Sequence, residues 1–414
     1  MNKIKISQTV VLLAFLLLMH SRACAAPILF LSTQLVPLPE AAKMREVILK
    51  DFPQSVDFEP YDRTVFNKRV VELAASPGGS VVLGGLQQDF LPMYQAGVLT
   101  SVQDMVPELS DRTFLPGIAA RGKLGSETTY FIPWMQATYL MAASKRALPF
   151  LPKGADLKRL SYSELLAWAA NMYRSTGQAR LGFPVGPNGL MARFLQGYLY
   201  PSFTGSMTDG FSGTEATGMW RYLRDLWRYV APSSLVLDRM DNALLNGEVW
   251  VAWDHTARLL QAFKEQPDRF VAFPAPVGPK GRGFISVMAG LGVLRGSASP
   301  SAESLIEYLT RPLIQVETME SVGFLPVVEI GTRTTTSKGL SALLRAVVEQ
   351  AGSADAIVSA VPIRAAASAR RFDLAYLVAF SRIVLRAMGT QEVLARQEKM
   401  LREAETDSLR EDRP

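Results

Sequence analysis

The sequence predicts an α/β protein of two lobes, each a mainly parallel sheet flanked by helices, with a hinge between them. Three observations carry that expectation. Short apolar runs alternate with amphipathic stretches at the start of the chain, the pattern of strands joined by crossover helices. About 390 residues remain once an N-terminal export segment is set aside, more than one compact core usually holds. Extended runs on either side of Pro133 suit a strand that changes lobe at fixed geometry.

The export segment comes first because it must be removed before the fold is read. Lys3 and Lys5 precede the apolar run 10–19, and Ala23-Cys24-Ala25 supplies a small-x-small cleavage site, with cut after Ala25. The run is about half the length of a bilayer span. Ser21-Arg22-Ala23 is a poor approach to a lipidated Cys24. Losing Lys3, Lys5 and Arg22 takes the net charge from +6 to +3, and no basic cluster with interleaved aromatics remains to suggest nucleic acid. The single cysteine and His20, one of two histidines, leave with the signal. What remains has no disulfide and must stand on its apolar core. One histidine, His255, leaves no zinc site of the usual kind and no nucleophile elbow to serve, so neither a metal nor a cofactor is expected.

In order, 27–32 reads as a buried strand ending in Ser32-Thr33-Gln34. A helix over 39–52, a strand over 55–59, a helix over 62–75 and a strand over 80–83 follow, the last closing on a loop Gly84-Gly85-Leu86-Gln87-Gln88. Ligands of open α/β sheets sit beyond the carboxyl ends of strands, which nominates Thr33, Gln34, Gly85 and Gln87. The glycines equally suit a plain tight turn; they lack the lysine and spacing of a phosphate loop. The strand 130–134 stops at Pro133, Trp134 and Gln136 mark the crossing, and 138–144 continues into a more helical lobe. There, helices are expected over 162–173, 188–200, 214–230 and 238–245. Later come strands over 270–276 and 284–294, the second interrupted by Gly290, where a glycine lets backbone or ligand approach closely. Helices over 301–310, 312–322, 338–350, 372–388 and 391–405 complete the chain, and the charged end frays.

One stretch, Leu244–Phe263, concentrates chemistry. It reads as a helix end, an Asn246-Gly247 turn, a strand over 248–253, and then Asp254-His255 opening a helix that carries Arg258. A strand ending in Trp253-Asp254-His255 would present an aromatic face, a carboxylate and an imidazole together. The same pattern also fits Trp250 and Trp253 as core and Asp254 as a helix cap.

Several stretches together resemble the family-1 extracellular solute-binding proteins of bacterial ABC importers, of the maltose-binding-protein-like carbohydrate type. The match rests on Tyr130-Phe131-Ile132-Pro133-Trp134, Asn246-Gly247-Glu248 with the strand to Asp254, Phe273-Pro274-Ala275-Pro276, Ala289-Gly290-Leu291-Gly292-Val293 and Phe324-Leu325-Pro326. It covers roughly residues 27–330 and departs at Ser80-Val81, where the family often carries Pro-Asp, and at Met288-Ala289-Gly290, where a second glycine is common.

The resemblance implies a type II two-lobe periplasmic-binding-protein fold. Residues 26–136 and 286–332 would form the N-terminal lobe, 137–285 and 333–405 the C-terminal lobe, and 406–414 a frayed tail. It implies a periplasmic monomer, not an enzyme, that closes on a carbohydrate and delivers it to the transmembrane subunits of an ABC permease. Trp134 and Trp253 would be sugar platforms, and Gln34, Gln87, Gln136, Asp254, His255 and Arg258 would hydrogen-bond hydroxyls at the rim. A carboxylate or phosphate on the ligand would favour Arg258 and the adjoining helix start. Two alternatives stay open: a non-sugar solute such as a polyamine, iron chelate or organic acid, or an exported glycosidase using two of Asp62, Asp89 and Asp254.

Overall fold

The computed structural model describes residues 26–76, 78–115, 117–206, 211–330, 337–359 and 366–411; the expected export segment lies outside the described residues. Before residue 138 come strands β1 (Ile28–Ser32), β2 (Val56–Pro60), β3 (Val81–Leu86), β4 (Leu99–Thr100) and β5 (Phe131–Ala137). After it come β6 (Tyr139–Ser144), β7 (Leu181–Gly182), β8 (Val251–His255), β9 (Phe270–Phe273), β10 (Arg282–Ile285), β11 (Val287–Leu294) and β12 (Ala356–Ser359).

They form two main sheets and a ribbon. The first runs β2-β1-β3-β11-β4, with β5 also on β11; the second runs β7-β8-β6-β9; β10 pairs with β12. Both main sheets are mixed rather than mainly parallel. β1, β2 and β3 are parallel, but β11 enters from the second lobe and runs antiparallel to β3 and β5. In the second sheet only β7–β8 is parallel.

Helices cover both faces of each main sheet. Ile28 and Phe30 of β1 point to one core and Leu31 to the other, as the two-residue period of a strand dictates. Asp62 caps α1 (Arg63–Ala75), its carboxylate accepting from Thr64 N at 2.9 Å and Val65 N at 3.2 Å. In the second lobe Ser161 and Glu164 close a capping box on α2 (Tyr162–Thr176). The last helix is Thr390–Glu411, reaching into the stretch expected to fray.

Three readings change in the fold. Gly84, Gly85 and Leu86 belong to β3 rather than to a loop, and Gly84 leaves room for the ring of Phe30, which a Cβ would meet at 2.9 Å. Pro133 lies inside β5 rather than ending it. β5 is an edge strand with an irregularity opposite Ala289/Gly290, a place where a missing N–H is tolerated. Asp254 and His255 are the last residues of β8, so the helix begins at Thr256, not at Asp254.

The lobes are joined at adjacent crossings. Thr138 lies between β5 and β6, Ser286 between β10 and β11, and Thr138 Oγ1 donates to the carbonyl of Ile285 at 2.7 Å. A third link follows α3 (Pro312–Val322): Gln136 and Leu325 exchange backbone hydrogen bonds of 2.9 and 2.7 Å. Buried Gln315 of α3 ties this together, donating to the Trp134 carbonyl at 2.7 Å and accepting from Val327 N at 3.0 Å. Lys43 from the first lobe and Lys264 from the second both reach carbonyls at the C-terminal end of α3, where the helix dipole favours cations.

Candidate functional site

The site is built from strand ends of the two main sheets. On the first rim, β1 runs out into Thr33-Gln34, β2 into Tyr61–Arg63, and β3 into Gln87-Gln88. Asp89, only 5 % exposed, is the knot that fixes them. Its Oδ2 accepts from Thr33 Oγ1 and from Leu86 N, each at 2.9 Å, and its Oδ1 pairs with Arg63 Nε at 2.7 Å. Gln34 Nε2 donates to Thr33 Oγ1 at 3.0 Å. Thr33, Gln34 and Gln87 are half-buried at this rim, whereas Gly85 is buried, with Asp89 and Thr33 crowded against it.

The second rim carries the loop before Met191–Phe194, the loop before Asp241–Leu245, the end of β8 and the start of α4 (Thr256–Glu265). Asp238 holds the two loops together, accepting from Asn188 N at 2.9 Å and Asn188 Nδ2 at 3.1 Å. Arg258, on the first turn of α4, donates to the carbonyl of Asp238 and, at 3.4 Å, to that of Asn188. His255 caps α4: its Nδ1 accepts from Ala257 N at 3.2 Å, which leaves the proton on Nε2. Burial, with Arg258 and Arg193 nearby, lowers the His255 pKa to about 3, so the imidazole is neutral. Its ring meets Tyr139 at 5.0 Å and Phe324 at 5.8 Å, at the hinge.

Glu40 lies on the helix Leu38–Lys43 of the first lobe. Burial pushes its pKa up from the usual carboxylate value, while Arg239, Arg258 and Lys43 pull it back down.

Four sequence-nominated residues do not line this space. Trp134 and Trp253 are each 0 % exposed. Trp134 packs on Phe30 in the first core, and Trp253 lies among Tyr139, Phe194 and Tyr198 in the second. Neither indole offers an open face to a sugar, because β8 and β5 are covered on both sides. Asp254, also fully buried, spends Oδ2 on Met240 N at 2.8 Å and Oδ1 on His255 N at 2.7 Å. Gly290 is filled by the ring of Phe131, which a Cβ would meet at 2.1 Å, so the glycine admits a side chain of its own core rather than a ligand.

Gln136 is placed differently again. It lies at the β5 edge, its Nε2 donating to the Pro326 carbonyl at 2.7 Å. There it lines a cavity of about 500 Å³ with Leu115, Phe284, Leu325 and Leu344. Of the nominated set, Thr33, Gln34 and Gln87 lie half-buried at strand ends of the first sheet, and His255 and Arg258 at the end of β8 and the start of α4. Sequence reasoning did not single out Asn188, which Asp238 holds beside Arg258. It has no local signature, because it becomes interesting only through partners far away in the chain.

The three candidate acids are all committed to structure: Asp62 to a helix cap, Asp89 to the first rim, Asp254 to the Met240 loop.

The profile of the family described as bacterial extracellular solute-binding protein matches residues 50–329, well over half of the chain. No curated protein matches it in sequence. Among solved structures, UgpB from Mycobacterium tuberculosis in complex with glycerophosphocholine is 19 % identical with a TM-score of 0.68, covering 93 % of this chain and 100 % of that one. Maltose-bound MalE3 of T. maritima is 18 % identical with a TM-score of 0.68, covering 91 % and 99 %. The sugar-binding protein MalE from Xanthomonas citri is 17 % identical with a TM-score of 0.68, covering 94 % and 100 %. At these identities the likeness is one of fold, and it is the two-lobe fold built here from strands and crossings. The chain belongs to the bacterial extracellular solute-binding protein family, as a non-catalytic solute-binding component of an ABC importer.

Proposed function

We propose that the solute is a carbohydrate, mono- or oligosaccharide, held between the lobes by hydrogen bonds to its hydroxyls and released unaltered to a membrane permease. The reading is supported by two groups of polar residues at strand and helix ends: Gln34 and Gln87 on one lobe, Asn188, His255 and Arg258 on the other. Amides, a neutral imidazole and a guanidinium together donate and accept around a ring of hydroxyls. A ligand touching both rims stabilises the closed arrangement by its differential contacts. Solved structures of the same fold with maltose make sugars the first class to test. The protein works as a monomer in the periplasm, exported by the segment 1–25.

The test is a thermal-shift and calorimetric screen of protein starting at residue 26 against mono- and oligosaccharides, sugar alcohols, polyamines and organic acids. A ligand at about 100 times its dissociation constant adds about 2.7 kcal/mol of stability. Chromatography should return the ligand unchanged. A flat response to every carbohydrate beside a clear response to polyamines would overturn the ligand class.

A further inference from the structure

We propose that the cavity beside Gln136 is a second binding site, for a small molecule with an apolar body and one carboxylate, and that Arg121 receives the carboxylate. This site goes beyond the carbohydrate reading and does not depend on it, because none of Gln34, Gln87, Asn188, His255 and Arg258 lines the space.

The walls of the cavity set its character. At about 500 Å³ it falls within the range of sites that hold small molecules. Leu115 and Ile118 close it from the first lobe, where both pack with the core around Phe66 and Val81. Leu344 and Val347, on the helix Lys338–Ala351, close it from the second lobe, where they pack on the core around Leu260 and Phe263. Buried Phe284 and Leu325 extend the apolar lining. Val348 and Val358 also line it, and they are 70 % and 50 % exposed, so the apolar wall runs out to solvent and leaves a way in. Water gains few hydrogen bonds against such walls, and an apolar group displaces it favourably.

The charged groups decide which apolar molecule fits. Among the described residues of the lining, only Arg121 and Glu329 carry charge. Arg121 is half-buried on the short helix Ala119–Lys123, and its guanidinium makes no hydrogen bond or ion pair with the described residues. Burial lowers its pKa, and no neighbouring carboxylate offsets that loss. Arginines that serve the scaffold of this chain look different: Arg112 meets Asp111 and Glu307 at 2.7 Å each, and Arg63 meets Asp89 at 2.7 Å. A partly desolvated guanidinium without a counter-charge is matched by a planar carboxylate, which takes two parallel hydrogen bonds from it. Glu329 is exposed, so water and salt screen its repulsion of an incoming anion. Ser286 lines the same space and brings a hydroxyl as a further donor.

The experiment is calorimetry on protein starting at residue 26 with matched probes: phenylpropionate against phenylpropanol and phenylpropylamine, octanoate against octanol, and acetate alone. The expected result is that phenylpropionate or octanoate binds at least about tenfold tighter than its alcohol, with the amine weakest and acetate silent. Arg121→Gln should cost the acids about tenfold and the alcohols less than about threefold, and Arg121→Lys should recover part of the loss. Leu344→Trp fills the cavity and should abolish binding of acids and alcohols alike, which separates this site from any other arginine on the surface. An alcohol or amine that binds as tightly as its acid, or acetate that matches the longer acids, would overturn the proposal. So would silence from both acids, or full acid affinity in Arg121→Gln or Leu344→Trp protein whose melting temperature is unchanged.

Discussion

The indole of Trp253 lies flat on the phenol ring of Tyr139, with ring centroids 5.0 Å apart and planes 6° from parallel. The two residues sit on neighbouring strands, and Phe194 and Tyr198 close over the indole edge-on at 5.1 Å. Trp253 is thus a keystone of the second core, next to the hinge. Trp253→Ala should lower the unfolding free energy of ligand-free protein by about 3–5 kcal/mol. Urea titration measures this; a loss below about 1 kcal/mol would mean that the indole is not core.

Gln315 makes a second test. Its amide joins the carbonyls of Trp134 and Leu309, at 2.7 and 2.8 Å, to the N–H of Val327 at 3.0 Å. Gln315→Leu keeps the volume and removes all three bonds, and each orphaned buried group costs roughly 1–3 kcal/mol. A fall in the urea midpoint together with faster hydrogen exchange at Val327 is expected. Unchanged exchange there would show that water or another donor takes over.

Asp254 makes stability depend on pH. Burial raises its folded pKa to about 7, above the unfolded value near 4, so the folded form holds the proton more tightly. The contribution is full below about pH 4 and is lost as pH rises through about 7. Asp254→Asn removes this proton. The stability difference between wild type and variant, followed by urea unfolding, should therefore move in favour of the variant between pH 4.5 and 7.5. A difference that stays level across that range would contradict the burial argument.

His255 titrates in the opposite sense. Its folded pKa of about 3 lies below the usual 6.5, so its contribution is present above pH 6.5 and is lost as pH falls towards 3. In protein starting at residue 26 it is the sole histidine, so one imidazole signal reports on it. That signal should stay flat between pH 5 and 8 by NMR. A midpoint near 6.5 would place the ring in solvent instead.

Gly290 tests the close packing of the return strand. A side chain there meets the ring of Phe131, which itself stacks on Phe90 at 4.8 Å. Gly290→Val should cost roughly 1–3 kcal/mol or more through overpacking. Thermal unfolding without ligand is the readout, and a neutral outcome would mean that Phe131 moves aside freely.

Local order was largely readable before any fold was in hand. The strand at Ile28–Ser32, the helix capped by Asp62, the Ser161/Glu164 capping box and the helix pair starting at Pro300 and Pro312 all rest on interactions within a few residues. The rims were partly readable, because a strand's carboxyl end is marked by an apolar run stopping at polar residues, as at Ser32-Thr33-Gln34. The sequence leaves Trp253 open between platform and core for a definite reason. In β8, Val251, Ala252, Trp253 and Asp254 are all buried, so the alternation that would tell an inner from an outer face is absent.

The sequence alone determined the alternation of strands and helices, the need for a disulfide-free apolar core, and the family whose motifs recur in order. These follow from short-range periodicity, turn chemistry and composition. Tertiary structure alone decided that Trp134 and Trp253 are core, and that Asp62, Asp89 and Asp254 are each bound into the scaffold. Those outcomes depend on which distant segments cover a side chain or answer its charge, and no local pattern encodes that.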